Sequence, residues 1–317
     1  MNESIVKSLQ YEDVDFQLAH IRLAAKRYGN KDKPILLALH GWLDNADSFV
    51  PLAQSIEQLG LLNQFQLIAI DWPGHGLSQH RPGQYPLHWI DYLYDLDELM
   101  TELTKTQPVS IIGHSLGGII AAAYNAAFPH KVTQLVLIEA LSPIYESASH
   151  SKERLTRSFK QHHRFNQTNP SKSSDTAQFE TGAASEPKRD TSRELTLERA
   201  VNARHQLTGM DKCWCELIIQ RNLEIKNQHY CWKSDPRLKL DSPYRLTFEQ
   251  VDVLMSASDT PCLLILAEQG FKQLKLALPQ AKLWFNDLID VQIEGDHHLH
   301  MGSADQVANM IRTFILN

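Results

Sequence analysis

The sequence predicts an α/β protein: a mainly parallel, doubly wound sheet with helices on both faces, interrupted before its last strands by an inserted helical cap. Three observations predict it. Short unbroken apolar runs alternate with amphipathic stretches through the first half, the pattern of strands covered on both sides. The same alternation returns after about residue 251, following a long stretch that lacks it. A chain of 317 residues with 43% apolar content can bury the core of one large folding unit.

The elements follow in order. Val14 to His20 alternates with period two and reads as a half-buried strand. Apolar runs at Ile35–Leu39, Leu67–Ile70, Val109–Ile112 and Leu135–Ile138 read as buried strands. Between them, Asp91 to Lys105 places Leu93, Leu96, Met100 and Leu103 on one helical stripe, and the alanine-rich Leu116 to Phe128 ends at Pro129. Near the C-terminus come a strand at Leu263–Leu266, another near Asp290–Ile293 and a closing helix from about Asp305 to Ile315. Residues 1–141 and 252–317 are thus expected to form one core, with 142–251 inserted as a cap. Within the insertion, Thr156 to Glu194 contains no Leu, Ile, Val or Met, so it is expected to be loosely ordered for want of apolar surface to offset its entropy. Leu195 to Ile225 regains helical periodicity and is expected to form a lid over the core. Its aromatic residues Trp214, Trp232 and Tyr244 are read as packing rather than as a substrate pocket.

Composition excludes several functions. A net charge of -6 and a pI near 6.2 leave no basic stripe for a nucleic acid. Met1 to Gln10 has neither a basic nor an apolar region of an export signal, and no apolar run reaches membrane-span length; a cytoplasmic location is the expectation. Four cysteines are too few for a disulfide scaffold in a chain of this size. The spacing of Cys213 and Cys215 is tighter than zinc sites use, so no metal is expected at Cys213, Cys215, His229 and Cys231.

The strongest chemical signal is Gly113-His114-Ser115-Leu116-Gly117, a G-x-S-x-G pattern between a predicted strand and a predicted helix. That setting makes Ser115 a nucleophile on a tight turn, with Gly113, Gly117 and Gly118 supplying room where a Cβ would clash. The N-terminal end of the following helix favours developing negative charge beside it. His40-Gly41-Trp42 follows the Ile35–Leu39 strand, where the second half of an oxyanion hole belongs. The backbone N–H groups of Trp42 and Leu116 are therefore the expected donors. Asp71 to Ser78 reads as a structural turn, and backbone shape suffices to explain His75 and His114.

In these motifs the chain resembles the α/β-hydrolase superfamily, and within it the branch of serine hydrolase-like proteins. The matching residues are His40 to Asn45 (HGWLDN), Asp71 to Ser78 (DWPGHGLS), Gly113 to Gly118, and Gly295-Asp296-His297. The resemblance spans about Leu36 to Ile315 apart from the polar insert. It implies a catalytic histidine after the last strand, and the spacing to Val307 selects His297, with His298 as the fallback among His297, His298 and His300. Many relatives carry an aspartate where this chain has Gly270. Some relatives take the acid from an earlier strand, which here is Glu139; Glu268 is the rival. Asp296, adjacent to His297, is poorly placed to reach its Nδ1. The implied activity is a serine hydrolase acting on a small ester-like substrate through Ser115, His297 and Glu139, without a cofactor. A thioesterase, a C–C bond hydrolase and a non-catalytic binding protein remain the alternatives.

Overall fold

The structure, a computed structural model, describes residues 9–168 and 195–317. Ten strands are described: β1 (Glu12–Gln17), β2 (Arg22–Tyr28), β3 (Ile35–Leu39), β4 (Gln66–Ile70), β5 (Val109–His114), β6 (Val132–Ile138), β7 (Leu223–Lys226), β8 (His229–Trp232), β9 (Cys262–Ala267) and β10 (Leu288–Ile293). Eight form one sheet in the order β1-β2-β4-β3-β5-β6-β9-β10. The β1–β2 and β2–β4 pairs are antiparallel, and the rest are parallel. Strands β7 and β8 form a separate antiparallel hairpin.

The unbroken apolar runs are explained by the two faces of this sheet. Along β3, Leu37 and Leu39 point to one side, while Leu36 and Ala38 point to the other. The first side packs on α2 (Trp89–Leu103), α3 (Leu116–Ala127), α7 (Phe248–Met255) and α8 (Leu278–Trp284), through residues such as Leu96, Ile120, Val251 and Trp284. The second packs on α1 (Val50–Gln58) and α9 (Ala304–Leu316) through Leu52, Ile56, Val307 and Ile311.

Between β6 and β9, which are neighbours in the sheet, the chain forms α4 (Ser151–Thr168), α5 (Leu197–Thr208), α6 (Lys212–Asn222) and the hairpin before reaching α7. Helices α5 and α6 bury Val201, Met210, Cys215, Ile218 and Ile219 in a small core of their own, which also takes in Met301. Cys213, on the same helix as buried Cys215, is exposed. The helical run predicted to Ile225 stops at Asn222, where the hairpin begins.

One expectation is corrected. Thr156 to Thr168, predicted to be loosely ordered, belongs to α4. The helix is tied down by polar bonds instead of apolar burial: Ser158 Oγ donates to the Asp241 carbonyl at 2.9 Å, Gln161 accepts from the Asp241 N–H at 2.9 Å, and Arg154 pairs with Glu146. The rest of that polar stretch, 169–194, lies outside the described residues. Among the described residues no helix is long and apolar enough to cross a membrane.

Candidate active site

Parallel pairing places the loops after β3, β5, β6, β9 and β10 on one edge of the sheet, where open α/β sheets bind their ligands. Ser115 follows β5 directly, with φ 49° and ψ -117°, a conformation costly for a non-glycine residue. The turn holds because its neighbours have no side chains to collide: a Cβ on Gly117 would lie 2.0 Å from the Leu39 carbonyl oxygen, and one on Gly113 would lie 2.5 Å from the Gly118 Cα. The Ser115 N–H donates to the Ile138 carbonyl at 3.0 Å, tying the elbow to β6.

His297, in the loop after β10, brings Nε2 to 3.0 Å from Ser115 Oγ. Its Nδ1 lies 3.3 Å from Glu139 Oε2. An ionised carboxylate only accepts, so the ring proton belongs on Nδ1, and Nε2 is left to accept the serine hydroxyl proton. Burial pushes the His297 pKa below its ordinary value, against the hydrogen bond to Glu139, which raises it. The imidazole is therefore a free base at neutral pH.

Glu139 ends β6 in a second left-handed conformation, φ 49°. Its side chain is buried and accepts three hydrogen bonds: from His297, from the Ala267 N–H at 2.7 Å, and from the Phe271 N–H at 3.1 Å. Burial alone would raise its pKa, but those bonds outweigh it and hold the carboxyl below the usual carboxylate value. Glu268 is exposed and forms no pair with His297. Asp296 accepts from the His298 N–H at 2.7 Å and stays within its own turn. His298 faces Asp44, 3.5 Å away, and not Ser115. Gly270, the position at which the resemblance implies an acid, sits against Glu139 itself: a Cβ there would lie 2.3 Å from Glu139 Oε2.

The loop after β3 touches the elbow, since a Cβ on Gly41 would lie 3.1 Å from Ser115 Cβ. Among the described residues, neither the Trp42 nor the Leu116 N–H has an acceptor in the protein, and Leu116 opens α3, where such groups are left free. Trp42 follows Gly41 in the loop beside the elbow, and Leu116 follows Ser115 directly.

A family model described as the alpha/beta hydrolase fold matches residues 34–203, more than half of the chain. The chain belongs to the α/β-hydrolase family. A serine hydrolase-like protein of Danio rerio is 28% identical over 289 residues, covering 88% of this chain and 81% of that protein. The crystal structure of a hypothetical protein from Pseudomonas aeruginosa PAO1 is 30% identical, with a TM-score of 0.77 over 96% of this chain and 100% of that one. The thioesterase domain from the curacin biosynthetic pathway shares the fold at 20% identity, with a TM-score of 0.75, over 96% of this chain and 99% of that one.

This α/β-hydrolase also uses side chains that sequence reasoning passed over. His114, read as backbone shape alone, donates from Nε2 to the His297 carbonyl at 2.8 Å and so braces the histidine loop. His75, read the same way, accepts the Leu43 N–H at 3.2 Å and donates to the Pro73 carbonyl at 3.1 Å. Both lie inside motifs that had been singled out, but their partners are 183 and 32 residues away, and no local pattern shows such a contact.

Proposed function

We propose that the protein is a carboxylic ester hydrolase that works through an acyl-enzyme on Ser115, with His297 as general base and acid and Glu139 as the orienting acid. The observation that carries this reading is the continuous relay from Ser115 Oγ to His297 Nε2 at 3.0 Å and from Nδ1 to Glu139 at 3.3 Å.

The chemistry follows from these contacts. Ser115 Oγ attacks the substrate carbonyl while its proton passes to His297 Nε2. Glu139 fixes the tautomer and stabilises the imidazolium that forms. The negative charge on the carbonyl oxygen falls between the Trp42 and Leu116 N–H groups, each such donor typically worth about 10² to 10³ in rate. Collapse of the tetrahedral adduct breaks the ester C–O bond, and His297 returns the proton to the leaving alcohol. Water, activated by the same imidazole, then releases the acid and restores Ser115.

The test is turnover of a panel of small esters and matching thioesters by wild type and Ser115→Ala. Wild type is expected to hydrolyse the esters, with Ser115→Ala slower by about 10³-fold or more, because the triad acts as a unit. Equal rates in the two proteins would overturn the reading. A marked preference for thioesters would keep the mechanism and change the substrate class.

A further inference from the structure

Trp42, the proposed oxyanion donor, sits in a turn that the local sequence does not favour. The Asp44 N–H donates to the Gly41 carbonyl at 3.1 Å, closing Gly41-Trp42-Leu43-Asp44. Leu43, its third residue, has φ 62°. Turns with this backbone usually place glycine there, because a Cβ crowds the neighbouring carbonyl. A leucine in that position persists only when the surroundings hold it.

Both peptide groups of Leu43 are pinned. Its N–H is held by His75. Its carbonyl accepts from Nη1 of Arg204 at 2.9 Å, and Arg204 comes from α5 in the insertion, 161 residues away. The other end of the same guanidinium pairs with Asp44, whose carboxylate is fully buried. Asp44 in turn faces His298 Nε2 at 3.5 Å and His114 Nδ1 at 3.4 Å, and His114 is the ring that donates to the His297 carbonyl. Burial would raise the Asp44 pKa, but His298, His114 and Arg204 together hold it well below the usual value. Arg204 is thus the basic side chain at the hub of two loops, one carrying the oxyanion donor and one carrying the base.

We propose that Arg204 is a positioning residue of the reaction: it holds Leu43 in its strained conformation, and so keeps the Trp42 N–H aimed at the oxyanion. The insertion then acts as a fixed brace for the catalytic loops. The arrangement agrees with two further bonds across the same junction, from Asn45 Nδ2 to the Ile218 carbonyl at 2.8 Å and from Trp42 Nε1 to the Leu238 carbonyl at 2.9 Å. The inference rests on the ester-hydrolase reading above.

The experiment measures kcat, KM and melting temperature for wild type, Arg204→Gln, Leu43→Gly and the double variant on one small ester. Arg204→Gln is expected to lower kcat by about 10-fold or more, a fraction of the loss of a whole donor, with KM changed by less than about 2-fold, as for contacts made only in the transition state. In the double variant, glycine adopts the left-handed conformation without help, so at least half of the lost kcat returns although Arg204 is still absent. A purely structural role moves the melting temperature and leaves kcat per folded molecule unchanged; that result overturns the proposal, as does failure of Leu43→Gly to restore kcat. If Arg204→Gln does not fold, Arg204→Lys is compared with and without Leu43→Gly on the same criteria. Absence of ester turnover in folded wild type is a different outcome, which defeats the hydrolase reading itself.

Discussion

Glu139 can reach His297 because residue 270 has no side chain, and the two positions have to be understood together. Sequence reasoning saw Gly270 as an acid that was missing; the structure shows it as space that the Glu139 carboxylate fills. Ser115 was legible from its local pattern, because a glycine-flanked serine between strand and helix has one strong explanation. Glu139 and His297 were legible only through resemblance, since what joins them is a contact over 158 residues. Arg204 was not legible, because a polar residue on an amphipathic helix reads as solvent-facing until its partner is known. Gly270 supplies a test at this scale. Its φ lies outside the left-handed region, so the backbone gives alanine no left-handed strain, and the three atoms nearest the added Cβ all belong to the Glu139 carboxyl, at 2.3 to 2.5 Å. Gly270→Ala is expected to lower kcat by about 10-fold or more by pushing the acid off His297, with the protein still folded by circular dichroism. Unchanged kcat would mean that the Glu139–His297 contact is not needed.

At the scale of elements, strands buried on both faces were easiest to read, because their residues all meet apolar neighbours and leave continuous runs. β2 escaped notice because Arg22, Lys26 and Arg27 break its apolar pattern. Lys26 is nonetheless buried, and Asp47 compensates its charge in an ion pair; only the folded structure brings the two together. α1 carried a usable signal in Pro51 at its first turn, with Leu52, Ser55 and Ile56 on its buried face. α4 was misjudged for a different reason. Apolar content estimates how much burial a segment can gain, but a helix held through Ser158, Gln161 and Arg154 draws on partners contributed by other segments. The α6 part of the insertion is bolted to the core by buried polar contacts: Arg221 grips Asp71 through Nε at 3.0 Å, and Asn222 accepts the Gly76 N–H at 3.0 Å. The DWPGHGLS turn, read as structural, is the surface that these residues grasp.

Across the whole molecule, the fold class and the strand-by-strand alternation could be read from residue pattern, whereas the joining of insertion to core depends on charges paired over long sequence distances. The buried histidines give the molecule a characteristic response to acid. Burial lowers the pKa of His40 to about 4 and that of His75 to about 3, against an ordinary value near 6.5. Both are neutral in the native protein and protonate more readily when unfolded, so below pH 6.5 the unfolded state binds more protons. Stability is expected to be unaffected by them above pH 7 and to fall by about 2 kcal/mol for each between pH 7 and 5. Glu139 and Asp44, held below the ordinary carboxylate range, add their loss only at lower pH. Urea denaturation at pH 7 and pH 5 measures this directly; a midpoint that does not fall at pH 5 would contradict it.

The most direct test of the central claim is the rate at which a fluorophosphonate probe labels the folded protein, with the modified peptide identified by mass spectrometry in wild type, Ser115→Ala, Glu139→Gln and Glu268→Gln. The account predicts labelling at Ser115 in wild type, none in Ser115→Ala, a large slowing in Glu139→Gln and a near-wild-type rate in Glu268→Gln. A folded wild type that does not label, or labels on another residue, would contradict an activated Ser115; slowing in Glu268→Gln with none in Glu139→Gln would contradict the acid at Glu139.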